Sequence, residues 1–320
     1  MDFISIAKTT EKIDEEQDVI ILGGGPAGLT AGIYTGRNLW KTLIIERTMI
    51  GGNAALTEKI DNYPGFPEGI TGEELVRRME SQAKKFGSKI LESDVLSIKI
   101  EGIWKIVETS KGIYKAPTLI IATGTRPKKL EVPGEEEFTG KGVSYCAVCD
   151  GAFFMGKKVA VVGGGDSAVE EAIYLTKFAE EVTIIHRRDT LRAEKINQQR
   201  AFSNPKIKFL WNHIVKAIEG DKKVERLVLE DLKTHEIKIF PVDGVFIYIG
   251  LIPNTELFKG LLNLDPNGFI ITDEKMHTSI PGIYAAGDVR GKILRQIVTA
   301  VSDGAIAGME ASKFLEEIKL

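Results

Sequence analysis

One pattern occurs twice in this chain, and it limits the available folds more than any other feature. A short apolar strand, Asp18-Val19-Ile20-Ile21-Leu22, runs into Gly23-Gly24-Gly25-Pro26-Ala27-Gly28, which has G-x-G-x-x-G spacing at Gly23, Gly25 and Gly28. In such a turn the first glycine permits the tight bend and the second lets a pyrophosphate approach the backbone. The third lets helix and strand pack closely. A helical stretch over residues 27–38 follows, then a second apolar strand, Thr42-Leu43-Ile44-Ile45, ending at Glu46. Glycine spacing alone would be a weak sign. Strand, turn, helix, strand and terminal acid in this order make a dinucleotide-binding unit. Glu46 lies 23 residues after Gly23, where an acid can accept a hydrogen bond from a ribose 2′-hydroxyl.

The unit returns at an offset of 140 residues. Val159-Ala160-Val161-Val162 is the strand, Gly163-x-Gly165-x-x-Ala168 the turn, residues 169–178 the helix and Glu181-Val182-Thr183-Ile184-Ile185 the second strand. The copies differ at its end. His186 stands 23 residues after Gly163, and the acid is replaced by His186-Arg187-Arg188, with Arg192 one helical turn later. A carboxylate there would repel the 2′-phosphate of NADP, whereas guanidinium groups bind phosphate through paired charge-assisted hydrogen bonds. The first copy therefore fits the ribose of FAD or NAD, and the second fits NADPH.

Just ahead of the second turn lies Ser144-Tyr145-Cys146-Ala147-Val148-Cys149-Asp150-Gly151, which holds the only two cysteines of the chain. A dithiol beside a nucleotide-binding turn suggests electrons passing from a dinucleotide to a disulfide. A structural zinc site would need two further ligands at suitable spacing. His186, His213, His235 and His277 are scattered without it, so no metal is expected. His213 and His235 read as structural or exposed.

At 320 residues the chain is long enough for two domains. It is 43% apolar and 27% charged with a net charge of −3, which gives no support to a nucleic-acid partner. No apolar run approaches the roughly 18 residues of a membrane span. Residues 1–17 are polar and read as peripheral, and the acidic 11–16 segment is wrong for a signal peptide. Two cysteines exclude a disulfide-stapled secreted protein, so a cytoplasmic location is expected.

Between the two units, Gly51-Gly52-Asn53 and Asn62-Tyr63-Pro64-Gly65-Phe66 read as loops at the carboxyl edge of a sheet, and residues 72–86 as an amphipathic helix. Strands follow at 90–95, 97–100 and 104–108, and a buried strand at 117–121 runs into Ala122-Thr123-Gly124. A first domain crossing is placed at residues 125–134 and a second at 250–254. Strands are expected at 207–218, 223–231, 236–240 and 242–249. Near the end, Ala286-Gly287-Asp288 precedes a helical segment over 295–315 that begins Arg295-Gln296-Ile297. Asp288 suits a contact to a ribityl hydroxyl there.

Together these motifs resemble the low-molecular-weight thioredoxin reductases. The likeness runs from about Asp18 to the C-terminus, and Cys146-Ala147-Val148-Cys149-Asp150 is its most specific part. The resemblance implies an α/β fold with two Rossmann-like domains, the NADPH domain inserted into the FAD domain. Residues 1–125 and 253–320 would bind FAD, and residues 126–252 would bind NADPH and carry the cysteines. Cys149 would be the flavin-proximal thiol, Cys146 the interchange thiol and Asp150 the proton donor or acceptor. FAD contacts are assigned to Gly23, Gly25, Pro26, Ala27, Gly28, Glu46, Gly52, Asn53, Asn62, Val95, Ala122, Gly124, Asp288, Arg295, Gln296 and Ile297. NADPH contacts are assigned to Gly163, Gly165, Asp166, Ser167, Ala168, His186, Arg187, Arg188 and Arg192. One departure is visible: Asn53 stands where the family usually has Gln. The shorter side chain bears on one flavin hydrogen bond but not on the reaction class. The resemblance also implies a homodimer, a thioredoxin-like partner, and rotation of one domain on the other between half-reactions. The rival readings are the same path to a glutaredoxin-like or peroxiredoxin-system acceptor, or a flavin redox sensor.

Overall fold

The computed structural model describes residues 14–319, and the first thirteen residues of the expected peripheral N-terminal segment lie outside them. Two compact units emerge. One takes the described residues up to Thr125 and again from Pro253, and the other is Arg126–Ile252.

In the first unit a five-stranded parallel sheet has the order Ile283–Ala285, Thr118–Ile121, Val19–Leu22, Thr42–Glu46, Lys89–Glu92. The central strands are buried on both faces, which is why they read as unbroken runs of Val, Ile and Leu. On one face pack the helices Pro26–Arg37, Gly72–Lys85 and Ile297–Lys319. The first and last of these meet through small residues: a Cβ on Gly304 would lie 2.1 Å from the Ala27 carbonyl oxygen. Helix Gly72–Lys85 starts where Thr71 caps the Glu74 amide, with Glu73 and Glu74 in its first turn and Lys84 and Lys85 in its last. The opposite face of the sheet is covered from Val107, Ala116, Phe258 and Leu262.

Several elements differ from expectation. Residues 14–17 are not peripheral: Glu15–Glu16 pairs in parallel with Gly112–Ala116, a strand the sequence reading left out, and Gln17 is buried. The segment expected as strand 90–95 is Lys89–Glu92, and Val95 instead opens the antiparallel strand Val95–Glu101 opposite Thr109. Gly52–Ala55 is a helical turn rather than a loop, entered through Gly51 at φ 107°.

The second unit repeats the plan. Its parallel sheet has the order Val143–Ser144, Gly244–Tyr248, Lys158–Gly163, Glu181–His186, Ile207–Trp211. The antiparallel ribbon His213–Gly220, Val224–Asp231, Ile237–Pro241 covers one face. Helices Asp166–Leu175 and Lys195–Phe202 cover the other. The single strand expected over 207–218 is two, because Asn212 takes a left-handed φ of 57° and turns the chain from one sheet into the other. Helix Lys195–Phe202 was also missed; its polar sequence carries little helical periodicity. Between the units the chain passes through Thr125–Pro127 and Leu251–Pro253, which pair as a two-stranded ribbon.

Candidate active site

In the first glycine turn Gly23 has φ 107°, and a Cβ there would stand 2.2 Å from the Ala122 carbonyl oxygen, so no side chain fits. A Cβ on Gly28 would lie 1.9 Å from the Gly23 carbonyl oxygen, which fixes how closely the helix approaches the strand. Gly25 is different: its Cβ would meet nothing nearer than the Gly51 carbonyl oxygen at 3.9 Å, leaving room for a ligand at the helix start. Pro26 is the first helical residue, where its missing N–H costs nothing, and Ala27 is buried against Gly287 and Gly304. Glu46 accepts a hydrogen bond from the Gly24 amide at 2.7 Å, and its other oxygen accepts from the amides of Arg47 and Thr48. The acid at the strand end is thus aimed back over the turn.

The remaining residues assigned to this side fall into groups. Gly52 and Asn53 share the helical turn behind Gly51, and Asn53 donates its amide to the Thr125 carbonyl at 3.0 Å. That bond engages the side chain that replaces the family's usual Gln. Asn62 donates to Gln296 Oε1 at 3.1 Å, which brings the Asn62 loop to the start of helix Ile297–Lys319. Gly124 has φ 62° and receives the Asn254 amide on its carbonyl. Val95 is half-buried against the core beneath the sheet. Asp288 follows Gly287, and Arg295 lies over the Phe269 ring at 4.1 Å.

Asp288 Oδ1 and Arg295 Nε are buried with no hydrogen-bond partner among the described residues. Burial holds the Asp288 carboxyl above its ordinary range, against the pull of Lys292 and Arg295. Two buried polar atoms without a hydrogen-bond partner and the open face of Gly25 fit FAD.

Behind Asp288 stands a group that sequence reasoning missed. Asp303, 6% exposed, accepts from the Gly287 amide at 3.0 Å, from Arg290 Nε at 2.9 Å and from Lys292 Nζ at 3.0 Å. A charge in an otherwise small and apolar helical stretch was the available signal, since a buried carboxylate needs partners. Removing one member of a buried charged group leaves the others uncompensated, at a cost of about 3–5 kcal/mol. Asp303→Ala should therefore lower the midpoint of urea unfolding strongly, while Asp303→Asn, which keeps an acceptor, should lose less.

In the second unit Gly163 pairs with Tyr248, and a Cβ on Gly163 would lie 2.3 Å from the Tyr248 carbonyl oxygen. Nothing stands within 4 Å of a Cβ on Gly165. Asp166 accepts from the Glu194 amide at 2.6 Å, Ser167 is exposed, and Ala168 packs beneath the turn. Arg192 donates its amide to the Gly164 carbonyl at 2.7 Å, which ties the arginine loop to the glycine turn. The side chains of Arg187, Arg188 and Arg192 are exposed and form no ion pair among the described residues. Three guanidinium groups without a carboxylate, beside an open glycine, fit the 2′-phosphate of NADPH. His186 differs from them. It is buried with its ring against Gly164, and burial together with the arginines pushes its pKa down. That shift favours the neutral form of its ring.

Cys146 and Cys149 are joined as a disulfide. Cys146 caps the helical turn Ala147–Asp150, and its sulfur accepts the Cys149 amide at 3.1 Å. Cys149 is exposed and Cys146 half-buried. Asp150 accepts from Ser144 Oγ at 2.7 Å, a partner that sequence reasoning did not single out. The Ala147 amide donates to the Tyr248 hydroxyl at 2.8 Å. No group of three or more His, Cys, Asp or Glu that could hold a metal occurs among the described residues. No helix among them is long and apolar enough to cross a membrane.

Residues 17–304 match the pyridine nucleotide-disulphide oxidoreductase family. The chain is 52% identical to a thioredoxin reductase of Listeria innocua over 303 residues, covering 94% of this chain and 95% of that one. It is equally identical to a thioredoxin reductase of Bacillus subtilis, covering 94% and 96%. Among solved structures it superposes on the thioredoxin reductase of Lactococcus lactis with a TM-score of 0.92 at 50% identity, covering 94% of this chain and 99% of that one. For that of T. acidophilum the TM-score is 0.90 at 39% identity, with 95% and 100% covered. The chain belongs to the pyridine nucleotide-disulphide oxidoreductases and, within them, to the thioredoxin reductases. FAD and NADPH are its cofactors, and it is an oxidoreductase acting through a disulfide.

Proposed function

We propose that this chain carries electrons from NADPH to the Cys146–Cys149 disulfide and passes them on to a thioredoxin-like protein. When bound, NADPH supplies a hydride and FAD relays the two electrons to a disulfide. The single observation that carries the reading is the disulfide itself, held in one unit with a glycine turn flanked by unpaired arginines. Arg187, Arg188 and Arg192 bind the 2′-phosphate, and Gly163 and Gly165 give the pyrophosphate access to backbone. In the other unit Gly23–Gly28, Glu46 and Asp288 hold FAD.

Once reduced, Cys146 is the better nucleophile of the pair. Its sulfur already receives the Cys149 amide at the start of a helical turn, an environment that favours thiolate. The Cys146 thiolate attacks one sulfur of the partner disulfide, forming a mixed disulfide and releasing a partner thiolate. Cys149 thiolate then attacks Cys146 sulfur, which restores the intramolecular disulfide and releases the second partner thiolate. Asp150, fixed by Ser144, takes or gives the accompanying proton. Phe153 and Met155, 73% and 64% exposed, offer apolar surface to the partner beside the pair.

The dithiol and the arginines ride on the same stretch of chain, while the FAD residues belong to the other. Reacting atoms must approach to roughly 3–3.5 Å for each transfer. We therefore assign the crossings Thr125–Pro127 and Leu251–Pro253 as a hinge that lets nicotinamide and disulfide take turns. A reversible cross-link between the two units should stop multiple turnover. Unchanged turnover in the locked enzyme would rule the rotation out. By the same family likeness the enzyme is a homodimer of the cytoplasm, where NADPH is supplied.

Steady NADPH consumption in the presence of thioredoxin and an insulin disulfide tests the function. Many turnovers per chain are expected. A single turnover would mark a redox sensor instead.

A further inference from the structure

We propose that Tyr248 is a positioning residue of the dithiol, whose hydroxyl holds the Ala147 amide and so fixes the turn on which Cys146 is made nucleophilic. The inference rests on the assignment of Cys146 as the attacking thiol. Tyr248 ends the strand Gly244–Tyr248, and its carbonyl sits against Gly163, so its backbone is anchored at the nucleotide turn. From there the side chain reaches the turn that carries the cysteines, and its hydroxyl accepts the Ala147 N–H at 2.8 Å.

The helical turn Ala147–Asp150 has three leading amides to satisfy. An N-cap side chain serves the second or third helical amide, not the adjacent one. Cys146 sulfur accordingly takes the third, that of Cys149. It does not serve Ala147, whose residue is fully buried, and among the described residues the Tyr248 hydroxyl is the acceptor that does. Two acids act on the phenol: Asp150 from the same turn and Glu171 from helix Asp166–Leu175. Burial first, and then these carboxylates, push its pKa up, so it remains a hydroxyl at working pH.

Tyr248→Phe keeps the ring and removes the partner of the Ala147 amide. The turn then loosens where it stabilises charge on Cys146, which matters more for a thiolate than for the disulfide. The test is the rate of Cys146 alkylation by iodoacetamide against pH, in holoenzyme reduced with excess dithiothreitol, read by mass spectrometry of the cysteine peptide. The variant should show a higher midpoint pH and an alkylation rate about fivefold to tenfold lower at pH 7. The disulfide should also become harder to reduce by up to about tenfold in equilibrium constant, or ~30 mV. NADP+ affinity should stay within about twofold, because Gly163 meets the backbone carbonyl and not the phenol; this also reports that the unit is folded. An unchanged midpoint and potential would overturn the proposal. A parallel loss of NADP+ binding would overturn it too, since Tyr248 would then be only a structural support. If wild-type enzyme is alkylated first at Cys149, the assignment of the two thiols fails instead, whatever Tyr248 does.

Discussion

Cys149→Ser should stop turnover while leaving an attacking thiol in place. With Cys149 gone, Cys146 can open the partner disulfide, but nothing can resolve the mixed disulfide that results. Steady-state reduction of thioredoxin should fall by at least about three orders of magnitude, as expected when a covalent catalytic group is removed. A covalent complex with the partner should accumulate, visible on a non-reducing gel and dissolved by dithiothreitol. Cys146→Ser should be just as inactive but should trap nothing. The contrast follows from the local geometry, since Cys146 sulfur receives the Cys149 amide whereas Cys149 sulfur receives no donor among the described residues. Trapping by Cys146→Ser and not by Cys149→Ser would exchange the roles.

Replacing Arg187 and Arg188 together by alanine should change the cofactor preference more than any substitution outside the dithiol. Each charge-assisted contact to phosphate contributes about 1.5–3 kcal/mol. Both side chains are exposed and screened by salt, so the lower end applies and two contacts give roughly 10²-fold in kcat/KM for NADPH. NADH lacks the phosphate and should be used nearly as before. The loss should appear mainly in KM and shrink as ionic strength rises. Equal losses with both cofactors would mean that the arginines support the fold rather than read the phosphate.

Much of this architecture was legible because it rests on local chemistry. Gly23 and Gly163 occupy positions where a side chain would strike a carbonyl 2.2 or 2.3 Å away, and such positions mark themselves in a sequence. The buried strands Val19–Leu22 and Lys158–Gly163 likewise show as apolar runs. What could not be read depends on contacts across the chain. Asn212 in a left-handed conformation divides one apparent strand between two sheets, and no pattern in the flanking apolar residues announces it. Glu15–Glu16 forms a strand only because Gly112–Ala116, almost a hundred residues on, offers a partner edge. His186 looks like one more basic residue beside Arg187 and Arg188. Only its burial against Gly164 reveals that its pKa is pushed down rather than left like that of an exposed ring. Tyr248 and Ser144 reach the dithiol turn from a strand 101 residues away and from just ahead of Cys146. In sequence the first is merely an aromatic residue in a strand and the second a common polar one.

The central claim is that electrons from NADPH arrive at the one disulfide of this chain. Holoenzyme incubated anaerobically with NADPH, quenched in acid and alkylated under denaturing conditions tests it most directly. The account predicts two newly alkylated cysteines per chain, Cys146 and Cys149, and none when FAD has been removed. A flavin bleached by NADPH while both cysteines stay unlabelled would contradict it.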